Sequence, residues 1–234
     1  MKTSVDLNAD LGEEVTDDVG LLQVVTSANV ACGYHAGNLV VMRKVCDLAA
    51  ASAVVVGAQV SYADRENFGR VSLRVDSSIL REQVADQVGT LSAIAVSAGT
   101  TVSYLKPHGA LYHRTLWDED QAAAVAAGSG ALPVLGMAGE LTRIVAGAGR
   151  RVVSEGFPDR GYGADGLLLD RNTPGAVLTD TGAITTQAVR LADSVESLCL
   201  HGDTPGAVVH ADAVRKRLIA AGWTLTAFCP GTGT

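Results

Sequence analysis

Short apolar runs alternate along the chain with longer segments whose apolar residues recur at helical spacing. The apolar runs predict strands, at residues 4–7, 27–30, 54–58, 102–105, 133–135, 151–155 and 197–200. The segments between them predict helices, at residues 38–51, 76–97, 118–127, 138–146, 180–194 and 206–221, with a shorter one at 17–25. Strands that alternate with helices pair in parallel and connect through right-handed crossovers.

Polar residues follow nearly every predicted strand, and their placement helps to separate two architectures. They are Asn8, Asp10, His35, Gln59, Lys106, His108, Glu155, Asp159, His201 and Asp203. In a closed barrel all strand carboxyl ends converge on one mouth, whereas an open doubly wound sheet builds its site mainly at one switch point. We therefore predict an α/β barrel, formed as a single domain by residues 1–234.

The composition argues against several classes of function. The chain has 18 basic and 25 acidic residues and a net charge of −7 at pH 7, which argues against nucleic-acid binding. No apolar run is long enough for a membrane span, and no apolar segment follows the N-terminus. We therefore expect no membrane contact and a cytoplasmic location. The four cysteines are scattered without a CxxC spacing, which argues against a zinc knuckle.

The main candidates for chemistry are polar groups that follow the strands. Asn8 and Asp10 share one face if the first strand continues, and the Asp10 carboxylate can then act as a general base or bind a cation. The alternative for Asp10 is an Asx cap of the next loop. His35 lies between two glycines, in a loop type whose backbone can approach a ligand. Lys106 can neutralise a carboxylate or phosphate, and His108 can move a proton near neutral pH.

Other positions are open to two interpretations. Arg70 can bind a carboxylate or phosphate through its planar guanidinium, or it can form a surface ion pair. His201 and Asp203 lie two residues apart and can support each other's charge. Pro107 fixes its own backbone, and we expect it to interrupt regular structure at that point.

Motifs for nucleotides and for nucleophilic catalysis are not evident. The sequence contains neither GxxxxGK[ST] nor GxSxG, which argues against a P-loop and a nucleophile elbow. Residues 128–130 lack the third glycine and the following helix of a dinucleotide-binding fingerprint. Any ATP must therefore be held by another kind of site or by a partner protein.

Several stretches of the chain resemble the LamB/YcsF family. They are VDLNADLGE at 5–13, TSANVACGYHAG at 26–37, FGR at 68–70, KPHGALY at 106–112, EGFPDRGY at 155–162 and HGD at 201–203. They occur in the order of the family and cover nearly the whole chain. The resemblance implies an irregular seven-stranded β/α barrel similar to that of polysaccharide deacetylases. It also implies ATP-dependent opening of the lactam 5-oxoproline to glutamate, with Mg²⁺ and with 5-oxoprolinase subunits B and C as partners.

The same resemblance suggests roles for individual residues. Asp10, His35 and His108 are candidates for proton transfer or for orienting the ring, and Lys106 is a candidate for an anion contact. Substrate contacts are expected from Asn8, Glu13, Asn29, Gln59, Arg70, Glu155, Asp159, Arg160, His201 and Asp203. We predict no metal ligands, since Gln59 stands where many family members have His and glutamine is a poor ligand for a transition metal.

Two alternatives to a lactam-opening subunit remain open from the sequence. The first is a metal-dependent amide or carbohydrate deacetylase that uses Asp10, His35, His108 and His201, and it requires a tightly bound divalent ion. The second is a non-catalytic partner subunit that binds a small carboxylate. The first predicts stoichiometric metal, and the second predicts ligand binding without turnover.

Overall fold

Seven parallel strands form a closed barrel in the computed structural model, which describes residues 3–15 and 17–230. The strands are β1 Ser4–Leu11, β2 Ser27–Ala31, β3 Val55–Val60, β4 Val102–Pro107, β5 Val134–Gly136, β6 Val152–Gly156 and β7 Ser197–Leu200. Each strand pairs with the next, and β1 closes the barrel by pairing with both β2 and β7. A two-residue strand, β8 Thr224–Leu225, pairs with the start of β1.

Helices follow most of the strands and cover the outside of the barrel. They are α1 Asp18–Leu22, α2 Leu39–Ala51, α3 Ser77–Ser97, α4 Gly109–Arg114, α5 Glu119–Gly128, α6 Glu140–Gly147, α7 Thr181–Ala192 and α8 Ala207–Ala220. The side chains of Asn38, Asp76 and Asp180 cap three of these helices by accepting backbone N–H groups of the first turn. None of the helices within the described residues has the length and apolar character needed to cross a bilayer.

The predicted alternation and the closed barrel are confirmed, with local differences. Strand β1 continues to Leu11, so Asn8 and Asp10 belong to the strand and share one face. The expectation that Pro107 interrupts regular structure is wrong: Pro107 is the last residue of β4 and pairs with Val60, and the strand ends after it. The missing N–H of Pro107 costs no bond to β3, because the backbone N–H of the next residue, His108, donates to the carbonyl oxygen of Val60 at 2.8 Å. Helix α4 and strand β8 are additional to the predicted elements.

Strand β1 directs polar residues into the barrel interior, and the residues between them pack against the helices. Val55, Tyr104, Leu135 and Val153 form a separate buried apolar cluster on strands β3 to β6. On β1, the apolar residues Leu7 and Leu11 belong to the main hydrophobic core. Their neighbours Asp6, Asn8 and Asp10 are buried and hydrogen-bond to side chains of other strands. This alternation follows from the two-residue period of a strand. It therefore places a row of polar groups along the barrel axis.

Asp6 lies near the amino ends of the strands, and its carboxylate is fully enclosed. It accepts hydrogen bonds from Thr26 Oγ1 at 2.6 Å and Ser27 Oγ at 2.7 Å, and a further one from Ser197 Oγ. Burial raises the pKa of Asp6 to about 6, although these hydroxyl groups oppose the shift. The carboxylate is therefore only partly ionised in weakly acidic solution.

Replacing Asp6 by asparagine is expected to change how stability depends on pH. The raised pKa means that folding takes up a proton between about pH 4 and pH 6, so wild-type stability falls as pH rises through this window. The raised pKa of Asp6 corresponds to a loss of roughly 3 kcal/mol in the free energy of unfolding of the wild-type protein across this window. Asparagine does not titrate, so the Asp6→Asn protein should not show this loss. Urea unfolding at pH values across the window measures the difference. Parallel stability curves for the two proteins would contradict the expectation.

Candidate active site

A cavity of about 450 Å³ opens at the carboxyl ends of the strands, where the sequence predicted the site. Its polar and aromatic lining comes from several strand ends and from the loops that follow them. These residues are Asp10, Arg70, Lys106, His108, Tyr112, His113, Phe157, Arg160, Asp170, Arg171, Asn172 and His201. The volume is in the range of sites for small molecules.

The Lys106 ammonium group, at the end of β4, is the centre of the polar interior. Its Nζ lies 3.1 Å from Asp10 Oδ1, 2.9 Å from Glu155 Oε1 and 3.0 Å from Cys199 Sγ. Burial alone would lower the pKa of Lys106, but Asp10, Cys199 and Glu155 together raise it well above its usual value. Lys106 is therefore a permanent cation between two acidic side chains. Of its three contacts, the one to Cys199 Sγ is the weakest hydrogen bond, because sulfur is a weak acceptor.

Asp10 presents one carboxylate oxygen to this cluster and is itself part of the cavity wall. Oδ1 accepts from Lys106 and from Asn29 Nδ2, the latter at 2.8 Å. Burial opposes ionisation, but the charge of Lys106, the largest opposing influence, holds the pKa of Asp10 well below its usual range. Within the described residues no donor contacts Oδ2. Asp10 is therefore an ionised carboxylate with one oxygen available to a ligand.

A buried network below Lys106 holds the two carboxylates in position. Asn29 Nδ2 also donates to Asn8 Oδ1 at 2.7 Å, and Tyr104 Oη donates to Asn29 Oδ1 at 2.7 Å. Tyr112 Oη donates to Glu155 Oε2 at 3.0 Å. Burial raises the pKa of Glu155, although Lys106 opposes this shift. Strand β3 leaves room for the tyrosine, because a Cβ atom at Gly57 would overlap the ring of Tyr104.

His201 also lines the cavity and is held by Asp159. Its Nδ1 lies 3.0 Å from Asp159 Oδ2, and its backbone N–H donates to the same oxygen at 2.9 Å. Burial opposes ionisation, but His201 lowers the pKa of Asp159. The ring of Phe157 stacks on the imidazole with centroids 5.5 Å apart. These contacts leave Nε2 of His201 as the ring nitrogen that can face a ligand.

Two arginines border the cavity and share one acidic partner. Arg70 forms an ion pair with Asp203, and Arg171 Nη1 lies 3.3 Å from the same carboxylate oxygen. The side chain of Arg70 remains 41% exposed, so the pair is accessible to solvent. Arg70 and Arg171 thus place two guanidinium groups at this rim, where their planar donor groups can bind an anion.

A second cluster lies beside the cavity and contains Glu13, His35, Gln59 and His108. Glu13 Oε1 lies 3.6 Å from His35 Nε2 and 3.4 Å from His108 Nδ1. Gln59 Nε2 donates to Glu13 Oε1 at 3.0 Å and to His108 Nδ1 at 2.9 Å. Burial and the neighbouring His35 lower the pKa of His108 well below its usual value, so its ring is neutral. One carboxylate and two imidazoles are a donor set that suits a first-row divalent cation.

The structure divides the predicted site residues into distinct groups. The cavity wall contains Asp10, Arg70, Lys106, His108, Arg160 and His201. The remaining predicted residues support this wall or belong to the cluster beside it: Asn8, Glu13, Asn29, His35, Gln59, Glu155, Asp159 and Asp203. Arg160 also holds the loop after β6, by donating to the carbonyl oxygens of Leu169 and Ala176.

The ligand set of the deacetylase alternative is not the one that the structure brings together. Among the described residues, the only group suited to a metal is Glu13, His35 and His108. Asp10 is paired with Lys106 instead, and His201 is paired with Asp159. The sequence did not indicate that Glu13 meets the two histidines.

Some residues of the site carry little signal in the sequence. Cys199 lies within an apolar strand, and Tyr104 is the kind of residue that strands bury for packing. Arg171 belongs to the irregular segment after β6, where no periodic pattern applies. Tyr112 is part of the KPHGALY stretch, and this is the signal that could have identified it.

One glycine spacing resembles a dinucleotide fingerprint but lacks its structural context. Residues 161–166 read GYGADG and match GxGxxG. They form turns and an isolated bridge, and the next helix starts only at Thr181. The fingerprint needs a strand that leads directly through the glycines into a helix. This segment therefore does not indicate a dinucleotide site.

Comparison with known proteins assigns this architecture to a family. The model of the LamB/YcsF family matches residues 5–232. The A subunit of 5-oxoprolinase from Streptomyces avermitilis is 50% identical over 248 residues, which cover 96% of this chain and 99% of the relative. The corresponding A subunit from Mycobacterium marinum is 47% identical over 249 residues, with the same coverage of both chains.

Solved structures extend the comparison to the fold. The lactam utilization protein from Thermus thermophilus has a TM-score of 0.90 at 33% identity, with 96% of this chain and 100% of that chain covered. The Bc1960 peptidoglycan N-acetylglucosamine deacetylase has a TM-score of 0.58 at 14% identity, with 97% and 86% covered. The second likeness shows a shared fold only, and it confirms the predicted relation to the deacetylase barrel.

Proposed function

This chain belongs to the LamB/YcsF family, and from that premise we propose that it is the lactam-binding A subunit of an ATP-dependent 5-oxoprolinase. The reaction opens 5-oxo-L-proline to L-glutamate and consumes ATP with Mg²⁺. The observation that carries the proposal is one cavity with a buried cation, an ionised carboxylate and an arginine rim. Lys106, Asp10 and Arg70 supply these three features.

The chemistry of the lactam explains why a nucleotide is needed. An amide carbonyl resists attack by water, because nitrogen donates electron density to it. Transfer of the γ-phosphoryl group to the lactam oxygen forms an O–P bond, releases ADP and frees the N–H proton. Water then adds to the ring carbon, and the C–N bond breaks as nitrogen takes up a proton. The resulting glutamyl phosphate is hydrolysed by a second water to glutamate and phosphate.

The residues of the cavity match the demands of these steps. Lys106 can exchange its weak contact to Cys199 for the lactam oxygen, where negative charge develops. Oδ2 of Asp10 can accept the proton that leaves nitrogen or water. Arg70 and Arg171 can bind the carboxylate of the substrate or the transferred phosphoryl group, through the planar geometry of the guanidinium. His201, held by Asp159, can return a proton to the leaving nitrogen.

The nucleotide and the partner subunits are also part of the proposal. The sequence carries no P-loop motif, so ATP is expected to be held with the help of another chain. The relatives are named as subunits, which supports an assembly. We assign the partner roles to 5-oxoprolinase subunits B and C. The cavity is open to solvent through its arginine rim, and this is the side on which a partner can deliver the phosphoryl group.

Reconstitution tests the proposed function. Glutamate formation from 5-oxo-L-proline, ATP and Mg²⁺ is measured for this chain alone, for subunits B and C alone, and for the three together. We expect glutamate only from the complete mixture. If partners that are active with the corresponding subunit of a relative give no glutamate with this chain, the proposal is wrong. Glutamate from this chain alone would show that ATP binding needs no partner chain, and would overturn that part of the proposal.

The deacetylase alternative has less support in the structure. It rests on a fold likeness at 14% identity and on a ligand set that does not assemble. Acetate release from acetylated sugars should therefore be undetectable. The carboxylate-binding alternative predicts the same cavity without turnover, and the reconstitution assay separates it from the proposed function.

A further inference from the structure

Glu13, His35 and His108 form a cluster that the proposed chemistry does not use in full. All three side chains are buried, with relative exposures of 3%, 1% and 7%. Their potential ligand atoms all lie within 4.8 Å of one another. Only His108 also lines the substrate cavity, and its Nδ1 atom faces Glu13. The cluster thus lies behind the cavity wall.

The distances within the cluster match those between ligands of one metal ion. Ligand atoms at tetrahedral positions about 2.1 Å from zinc are separated by roughly 3.4 Å. The separations from Glu13 Oε1 are 3.4 Å to His108 Nδ1 and 3.6 Å to His35 Nε2. A carboxylate and two imidazoles are therefore already arranged at the spacing that a small divalent cation requires.

His35 provides an independent sign of a missing ligand. Within the described residues, neither of its ring nitrogens has a hydrogen-bond partner, although both are inaccessible to solvent. The nearest acceptor of Nε2 is Glu13 Oε1, at a distance too long for a normal hydrogen bond. Buried imidazoles without a partner are costly, because the ring loses its contacts with water. A cation bound to Nε2 would satisfy that nitrogen.

The second histidine is held in the orientation that metal binding needs. His108 Nε2 lies 3.1 Å from the carbonyl oxygen of Phe68, so this nitrogen carries the proton and donates it. Nδ1 is then the acceptor nitrogen: it faces Glu13 and accepts from Gln59 Nε2, and its lone pair is available to a cation once that amide turns away. A histidine that binds a metal commonly donates its other N–H group to a carbonyl in this way. The two imidazole rings stack with centroids 4.0 Å apart, which keeps them aligned.

The loop that contains Phe68 closes over both histidines. The Phe68 ring contacts His35 and His108 edge-on, at centroid distances of 5.7 and 5.5 Å. Gly69 has a positive φ of +67°, and a Cβ atom there would lie 3.0 Å from His35 Cβ and 3.2 Å from His108 Cδ2. The cluster is therefore covered by backbone that only glycine can supply without strain.

Gln59 is a further residue beside the cluster whose side chain can supply a ligand atom. Its Nε2 contacts Glu13 and His108, while its Oε1 is buried without a partner among the described residues. Turning the amide end about its last torsion exchanges these two atoms, and the carbonyl oxygen then faces the same space. A cation between Glu13 and His108 would replace the two contacts that Nε2 gives up. An amide oxygen is a weaker ligand for a transition metal than an imidazole, so Gln59 is a supporting fourth ligand beside Glu13, His35 and His108.

We propose that Glu13, His35, His108 and Gln59 bind one zinc-like divalent cation in a closed site. Four protein ligands leave no open position, which is typical of structural rather than catalytic zinc. The cation would join the ends of β1, β3 and β4 to the loop of His35, and would fix His108 in the cavity wall. The proposal concerns the isolated chain and does not depend on the identity of the substrate.

Metal content and stability of the isolated chain test the proposal with Zn²⁺ as the probe. The protein is stripped with a chelator, titrated with zinc chloride and dialysed, and the retained metal is measured by mass spectrometry. We expect about one ion per chain and a higher melting temperature in the zinc-loaded protein. Cobalt(II) in place of zinc should give the strong visible absorption of a tetrahedral site. A folded chain that retains neither metal would overturn the proposal.

Variants assign the metal to these residues. Glu13→Gln keeps the shape of the side chain and should weaken zinc binding at least about 100-fold, since even changes outside the ligands cost roughly 10–100-fold. Gln59→His replaces the amide by a third imidazole and should bind zinc more tightly. This second variant keeps the test decisive if the first fails to fold. His210→Gln, on α8, is the matched control and should retain zinc. Equal zinc binding by all three variants would place the metal elsewhere and contradict the proposal.

Discussion

Replacing Lys106 by methionine is expected to reduce glutamate formation by the reconstituted enzyme by at least about a thousandfold. Methionine preserves most of the volume of the side chain but removes the charge that faces the lactam oxygen. It also leaves Asp10 and Glu155 buried without their common cation. Loss of one partner from a buried ion pair costs roughly 3–5 kcal/mol of folding stability. Activity must therefore be measured well below the lowered melting temperature.

Two controls separate the catalytic effect of Lys106 from its effect on stability. Lys216→Met removes an exposed lysine that pairs with Asp212 on α8, and it should change neither property. The double variant Lys106→Met with Asp10→Asn removes one of the uncompensated carboxylates, so part of the stability should return while activity does not. Near-normal turnover by the folded Lys106→Met protein would exclude Lys106 from the reaction.

Replacing Asp10 by asparagine is expected to lower kcat of the reconstituted enzyme about 10²- to 10⁴-fold, with a smaller change in KM. Asparagine has the same shape and can still accept from Asn29 and Lys106 through its oxygen. It cannot take up a proton, so the expected defect lies in the chemical step. Steady-state kinetics with varied 5-oxo-L-proline measures both constants.

The matched control for Asp10 is Asp212→Asn, an exposed carboxylate whose replacement should leave kcat unchanged. The pKa of Asp10 lies well below its usual range, so the carboxylate remains ionised throughout the neutral and weakly acidic range. Loss of activity in mild acid is therefore not expected to arise from Asp10. An Asp10→Asn enzyme with wild-type kcat would show that another group accepts the proton.

The fold could be predicted from the sequence because it depends on local patterns. Apolar runs, helical spacing and polar residues at strand ends are each visible over a few residues, and together they favour a closed barrel. The exact ends of strands are less visible. Asn8 and Asp10 interrupt the apolar run of β1 because they face a polar interior, although the backbone continues as a strand to Leu11.

Which side chains of the site contact one another could not be predicted from the sequence, because these contacts depend on how the barrel closes. Lys106 and Glu155 belong to β4 and β6, which are not neighbours, and they meet only across the barrel interior. Glu13 follows β1 and reaches His35 and His108 through loop geometry that no spacing reveals. The sequence therefore predicts which residues reach the mouth of the barrel, but not which of them touch.

The polar residues of the barrel form two groups, one that lines the cavity and one that lies behind its wall. Lys106, Asp10 and the arginine rim face the cavity and can contact a ligand. Glu13, His35 and Gln59 lie outside the cavity lining, and each of them contacts His108, which belongs to it. Variants of the first part should therefore affect turnover directly. Variants of the second should affect the position of His108 and the stability of the loop that covers it.

The most direct test of the account is a crystal structure of the reconstituted complex with 5-oxo-L-proline bound. The account predicts the lactam ring in the cavity of this chain, with its carbonyl oxygen in hydrogen-bond distance of Lys106 Nζ and its nitrogen toward Asp10 or His201. It also predicts that a guanidinium of the rim contacts the carboxylate or the incoming phosphoryl group. A lactam bound within a partner subunit, with this cavity filled by solvent alone, would contradict it.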